Sequence, residues 1–224
     1  DEVKVVTVSS NMVDKDSKIG YLRITEFDNV TYDQFLNEKK SLEKQGMKAL
    51  VLDLRDNPGG NVDTVVDIAG QFLPAGKVAY TIDKNNSETD YTSDGKNEFK
   101  LPLVVLCNGN SASAAEILTG SIKDYKKGTI LGTQTYGKGI VQQIIPFNDG
   151  SAVKLTIAKY YLPNGECIHG EGITPDVMLD FDKDAYKKDG ALIQGNRNIE
   201  KGNLIWIISS LYHHMCRQEI SRRQ

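Results

Sequence analysis

Residues 48–60 read KALVLDLRDNPGG. The apolar run does not alternate with polar residues, which suits a strand covered on both faces, as in a parallel sheet. RDNPGG breaks the run, and VDTVVDIAGQFL (62–73) resumes with helical spacing. Strand, tight turn and helix then recur. LPLVVLCNG (101–109) reads as a second buried strand, and SASAAEILTGSIKDY (111–125) as the helix after it.

Outward from these two units the pattern stays mixed. VKVVTVSS (3–10) alternates weakly and reads as a strand, and IGYLRITEF (19–27) is a stronger one. TYDQFLNEKKSLEKQG (31–46) reads as an amphipathic helix with Thr31 as cap, Phe35, Leu36 and Leu42 as its apolar stripe, and Gly46 as its stop. KVAYTIDK (77–84) is a strand, and NNSETDYTSDGKNE (85–98) a polar loop. GTILGTQTYGKG (128–139) is a short strand and a glycine-rich loop. IVQQIIPF (140–147) and SAVKLTIAKYYLP (151–163) form an antiparallel hairpin system with a turn at PNG. The order predicts a layered α/β domain with ligands at the carboxyl ends of the buried strands. No internal repeat is visible. Residues 1–182 read as one core and 183–224 as an atypical appendage, where a polar stretch precedes the apolar cluster LIWII.

Composition narrows the function classes. The 224 residues suffice for a core without disulfide staples, since a chain of this size buries roughly 70% of its unfolded surface. Lys plus Arg is 27 and Asp plus Glu 30, a formal net charge of -3, which argues against a nucleic-acid binder. Cys107, Cys167 and Cys216 are far apart and follow no metal-ligand spacing, and Cys107 reads as a buried thiol. No apolar run reaches the ~18 residues of a membrane span. No signal peptide is visible, and the chain opens without methionine, as a processed form or excised fragment would.

The stretch CNGNSASAAEI (107–117) carries the chemical question. A serine nucleophile needs a sharp position at a strand end, a proton acceptor, and donors for the developing oxyanion. Ser113 at a helix start has free N–H groups beside it, and small Ala114 leaves room for a carbonyl. The same serines and alanines also suit a cap packed closely on the sheet. For the base, His169 lies in a turn, and a Ser-His-Asp triad through it stays open. Ser-Lys pairs are the other solution. Lys138 stands between Gly137 and Gly139, with Gln142 four residues on to orient the amine. A lysine in a flexible glycine loop is the plainer reading. The NPGG turn could lend N–H groups to the same oxyanion as Ala114 N–H, or be an ordinary turn.

Taken together, GYLRITEF, ALVLDLRDNPGG, LPLVVLCNGNSASAAEIL, GTQTYGKGIVQ, LTIAKYYLPNG and GITPD resemble, in order, the carboxyl-terminal processing peptidases, or tail-specific proteases. The resemblance covers residues from about 4 to 182. It implies Ser113 as nucleophile, Lys138 as general base, Gln142 as the residue that positions the lysine, and Gly59 and Ala114 as backbone oxyanion donors. Asp124 matches an acidic position that looks supportive. The implied fold is the crotonase-like/ClpP-type superhelix of ββα units, an α/β class with mixed sheets. The implied activity is a serine endopeptidase acting near the C-termini of unstructured protein or peptide tails through an acyl-enzyme, with no metal, nucleotide or other cofactor. A homo-oligomer is compatible with it, and the bacterial setting it implies is extracytoplasmic, in the periplasm or cell envelope. The family usually carries a PDZ domain just before this core, and the resemblance implies a chain that begins where that domain would end, with the PDZ domain absent. The rival reading is a non-catalytic ligand-binding module, as in retinoid carriers of similar fold.

Overall fold

The computed structural model describes residues 5–179. The strands β1 (Val8–Asp14), β2 (Ile19–Ile24), β3 (Ala49–Asp53), β6 (Leu103–Cys107), β7 (Thr129–Gly132) and β10 (Val177–Met178) lie in that order in a six-stranded sheet. β1 pairs antiparallel with β2, and the remaining neighbours are parallel. The helices α1 (Thr31–Lys44), α2 (Val62–Ala69) and α3 (Ala114–Asp124) connect them. A second, antiparallel sheet runs in the order β5 (Glu88–Ser93), β4 (Gly76–Asp83), β9 (Ala152–Tyr161), β8 (Ile140–Pro146). This is the expected α/β class with mixed sheets.

β3 and β6 are the two apolar runs, and every residue of both is buried. Their register sets Leu50 opposite Leu103 and Asp53 opposite Leu106. Alternation then divides them: Leu50, Leu52, Leu103, Val105 and Cys107 join the main core with the helices, while Ala49, Val51, Val104 and Leu106 pack on the other face. Each fully buried leucine contributes about 1.5–3 kcal/mol relative to exposure. The two strands therefore fix the centre of the fold and end, side by side, at the two turns of interest.

Three local expectations are corrected. The first strand starts later than its valines suggest, because β1 runs through Val8–Asp14 to pair with β2. Thr31 is not the cap of α1 but its first residue. Its hydroxyl shares a 2.8 Å hydrogen bond with the Thr7 hydroxyl and accepts one from Asp28 N–H. The polar stretch after β4 is not all loop, because Glu88–Ser93 forms β5. Cross-strand ion pairs from Lys77 to Glu88 and Asp90 stand there in place of apolar alternation. Gly46 does end α1, at φ 78° just past the C-cap Gln45. The boundary expected at 182/183 and the appendage lie outside the described residues.

Candidate active site

The turns after β3 and β6 meet at Ser113. Ser113 is the N-cap of α3 and has φ 55° and ψ −116°. A positive φ in a residue with a Cβ costs on the order of 1–3 kcal/mol and persists only where surroundings hold it. Here they do. Ala112 N–H donates to Asn57 O at 2.9 Å, Ser113 N–H to Glu116 Oε2 at 2.8 Å, and Glu116 N–H to Ser113 O at 2.9 Å. Ser113 and Glu116 stand as a capping box, but the Glu116 N–H bond closes on the Ser113 carbonyl oxygen, and the Ser113 hydroxyl holds no capping hydrogen bond of its own. A cap serine would use it so. Its neighbour Ser111 is a staple instead: fully buried, it donates to Leu54 O at 2.7 Å and accepts from Asn108 N–H at 3.0 Å.

The NPGG turn presses against this junction. A Cβ on Gly59, whose φ is 100°, would lie 2.7 Å from Ala112 O, 2.8 Å from Ser113 Cβ and 2.9 Å from Ala114 N, so only glycine fits. Ala114 N–H, first in α3, donates to no group among the described residues. Gly59 N–H donates to Asn57 Oδ1 at 2.8 Å. Asn57 is itself fully buried, and its amide donates to Ile24 O. Upstream, the carboxylate of buried Asp53 accepts from Arg55 N–H, Nε and Nη2 and from Tyr21 hydroxyl. That network fixes the exit of β3. Burial and the Asp53 charge together raise the Tyr21 pKa, so the phenol stays a donor.

The glycine loop before β8 closes the other side. Tyr136 N–H donates to Ser111 O at 3.0 Å. Gly137 and Lys138 N–H groups donate to the Glu116 carboxylate, at 2.7 and 2.8 Å. Ser113 N and Lys138 N bind the same oxygen, Glu116 Oε2, each at 2.8 Å. The two backbone nitrogens therefore lie within twice that distance of each other. Ser113 and Lys138 are both half-buried, reachable from solvent. Among the described residues the Lys138 amine makes no hydrogen bond to the Ser113 hydroxyl. Such contacts often form only when substrate arrives.

Among the described residues no hydrogen bond joins the side chains of the other candidates to this cluster. Gln142 is exposed on β8, opposite Thr156. His169 is exposed in the turn behind Lys138. A Cβ on Gly139 would come within 2.5 Å of His169 N, so that turn touches the lysine loop through backbone. Asp124 ends α3, about 16 Å of helix rise from Ser113. Its carboxylate accepts from Asn164 N–H, and burial, then the Glu166 charge, raises its pKa. Cys107 is no rival nucleophile: burial pushes its thiol up to about 12. Sequence reading did not assign roles to Asn57, Asp53 or Glu116. The S-x-x-E spacing from Ser113 to Glu116 was the available signal for the last.

The profile of peptidase family S41 matches residues 18–179. A "Carboxyl-terminal-processing protease" of Synechocystis sp. is 37% identical over 162 residues, covering 72% of this chain and 38% of that protein. A "Probable CtpA-like serine protease" of Staphylococcus aureus is 40% identical over 181 residues, 80% of this chain and 36% of that one. The solved photosystem II D1 C-terminal processing protease superposes at a TM-score of 0.72 with 34% identity, over 80% of this chain and 50% of that chain. The tricorn protease, at 18% identity and a TM-score of 0.51, shares the fold. The chain spans little more than a third of the length of these two curated relatives. With a family profile over most of its length, the chain belongs to peptidase family S41.

Proposed function

We propose that this chain is the proteolytic core of a serine endopeptidase that uses a Ser113–Lys138 dyad and an acyl-enzyme. The Lys138 amine takes the proton from Ser113 Oγ as Oγ bonds the scissile carbonyl carbon. The oxyanion takes up Ala114 N–H and Gly59 N–H, the latter exchanging its present acceptor, Asn57 Oδ1. The Lys138 ammonium then returns the proton to the leaving amine as the C–N bond breaks. Lys138 then takes a proton from a water whose oxygen bonds the acyl carbon, the bond from that carbon to Ser113 Oγ breaks, and the proton passes to Oγ as the carboxylic acid leaves. Gln142 would steady the amine once substrate closes the site, and Asp124 supports the far end of α3.

One observation carries this reading: a serine held at positive φ whose hydroxyl the helix does not use, with the Lys138 backbone on the same carboxylate oxygen. The small residues around Ser113 favour extended, unstructured tails with small apolar residues at the cleaved bond. The relatives' names support cleavage near the C-terminus. On the same resemblance we place the protein outside the bacterial cytoplasm.

The test is cleavage of an unfolded protein by purified variants. Ser113→Ala and Lys138→Ala should each lose at least about 10³-fold in kcat/KM, the scale of removing a member of a catalytic set. His169→Ala should keep the wild-type rate. Wild-type rates in both dyad variants would contradict the dyad, whereas no cleavage by the wild-type protein, with an apolar ligand bound stoichiometrically, would instead establish the carrier.

A further inference from the structure

Glu116 is fully buried, and its carboxylate is the point where the nucleophile and the proposed base are tied together. Oε1 accepts from the Thr135 hydroxyl at 2.6 Å and Gly137 N–H at 2.7 Å, and Oε2 from Ser113 N–H and Lys138 N–H, each at 2.8 Å. A capping residue needs only the bond to Ser113 N–H. The other three reach a loop 19 to 22 residues away. A buried carboxylate is stable only if its oxygens are satisfied, and here the donors that satisfy it come from both sides of the site.

We infer that Glu116 is a positioning residue that sets the separation of Ser113 and Lys138, acting on their backbones and touching neither substrate nor the reacting atoms. The inference rests on the dyad reading above. The carboxylate holds Ser113 at its strained φ, and the same oxygen pins the Lys138 backbone. Thr135 continues the tie, since its hydroxyl accepts from Ile173 N–H at 2.7 Å. The segment around Ile173, between β9 and β10, thus shares one clamp with the nucleophile. Glutamine has nearly the same shape but one acceptor oxygen. Its amide group would face N–H donors, so half the clamp becomes repulsive.

The experiment compares Glu116→Gln, Thr135→Val and Ser113→Ala in the purified protein, with the intact Ser113 population counted by a fluorophosphonate. Per labelled site, Glu116→Gln should lose about 10²-fold in kcat, the effect of roughly an ångström of misplacement, with KM within about 3-fold. The labelling rate should fall with kcat, because labelling needs an activated serine but no bound peptide. Thr135→Val removes one of the four bonds and should lose about 5- to 10-fold in kcat at constant KM; it decides the matter if Glu116→Gln does not fold. A Glu116→Gln protein that keeps kcat per labelled site within about 3-fold overturns the clamp, as does a loss confined to KM. Full activity in Ser113→Ala would instead overturn the dyad.

Discussion

The two turns that meet at the site share a plan, strand then turn then helix, and end it differently. At the start of α2, Asn61 has ordinary extended geometry, φ −70° and ψ 129°, and its side chain accepts from Asp63 and Thr64 N–H groups. At the start of α3, Ser113 occupies the same N-cap position at φ 55° and leaves its hydroxyl out of the helix. The helix is capped from inside by Glu116. One turn commits its polar side chain to the helix, and the other keeps that side chain free. A serine at a helix start thus identifies a nucleophile only when its backbone angles and the fate of its hydroxyl are known.

Replacing each cap by alanine separates the two ends. Asn61→Ala should cost about 1 kcal/mol of stability in denaturant titration, the usual price of a lost cap. Ser113→Ala should change stability by less than about 0.5 kcal/mol, because no capping bond is removed. Equal losses at both positions would mean the Ser113 hydroxyl caps α3 after all.

The far end of α3 gives a smaller effect with a definite sign. The folded Asp124 pKa is raised, by burial first and the Glu166 charge second. Folding therefore favours its protonated form. This stabilisation is fully present below the unfolded-state pKa and lost as pH rises through the folded one. Asp124→Asn, which keeps an acceptor for Asn164 N–H, should melt at the same temperature as wild type near pH 3. It should melt higher at pH 7. A gain confined to low pH would contradict the assignment.

The centre of the fold was legible because β3 and β6 are buried on both faces and so are apolar throughout. β5 was not: ETDYTS is an edge strand whose one apolar side chain, Tyr91, meets the core among lysine–carboxylate pairs, so no apolar alternation marks it. At the candidate site, turn chemistry and the ordered motifs pointed to Ser113, Lys138 and Gly59, whose backbones the structure brings together. Glu116 was not, because an acidic residue in a helix's first turn looks the same whether it answers the helix dipole or binds a second loop. That difference is tertiary, fixed by the glycine loop folding back onto α3. Asn57 was hidden for a similar reason. Asparagine belongs in turns, and its burial against β2 appears only in three dimensions.

Covalent trapping tests the central claim most directly. The protein is incubated with a fluorophosphonate, digested, and the modified peptide sequenced by mass spectrometry. A single adduct on Ser113, lost in Lys138→Ala, is the predicted result. An adduct on Ser111, or labelling of Ser113 that survives in Lys138→Ala at the wild-type rate, would contradict it.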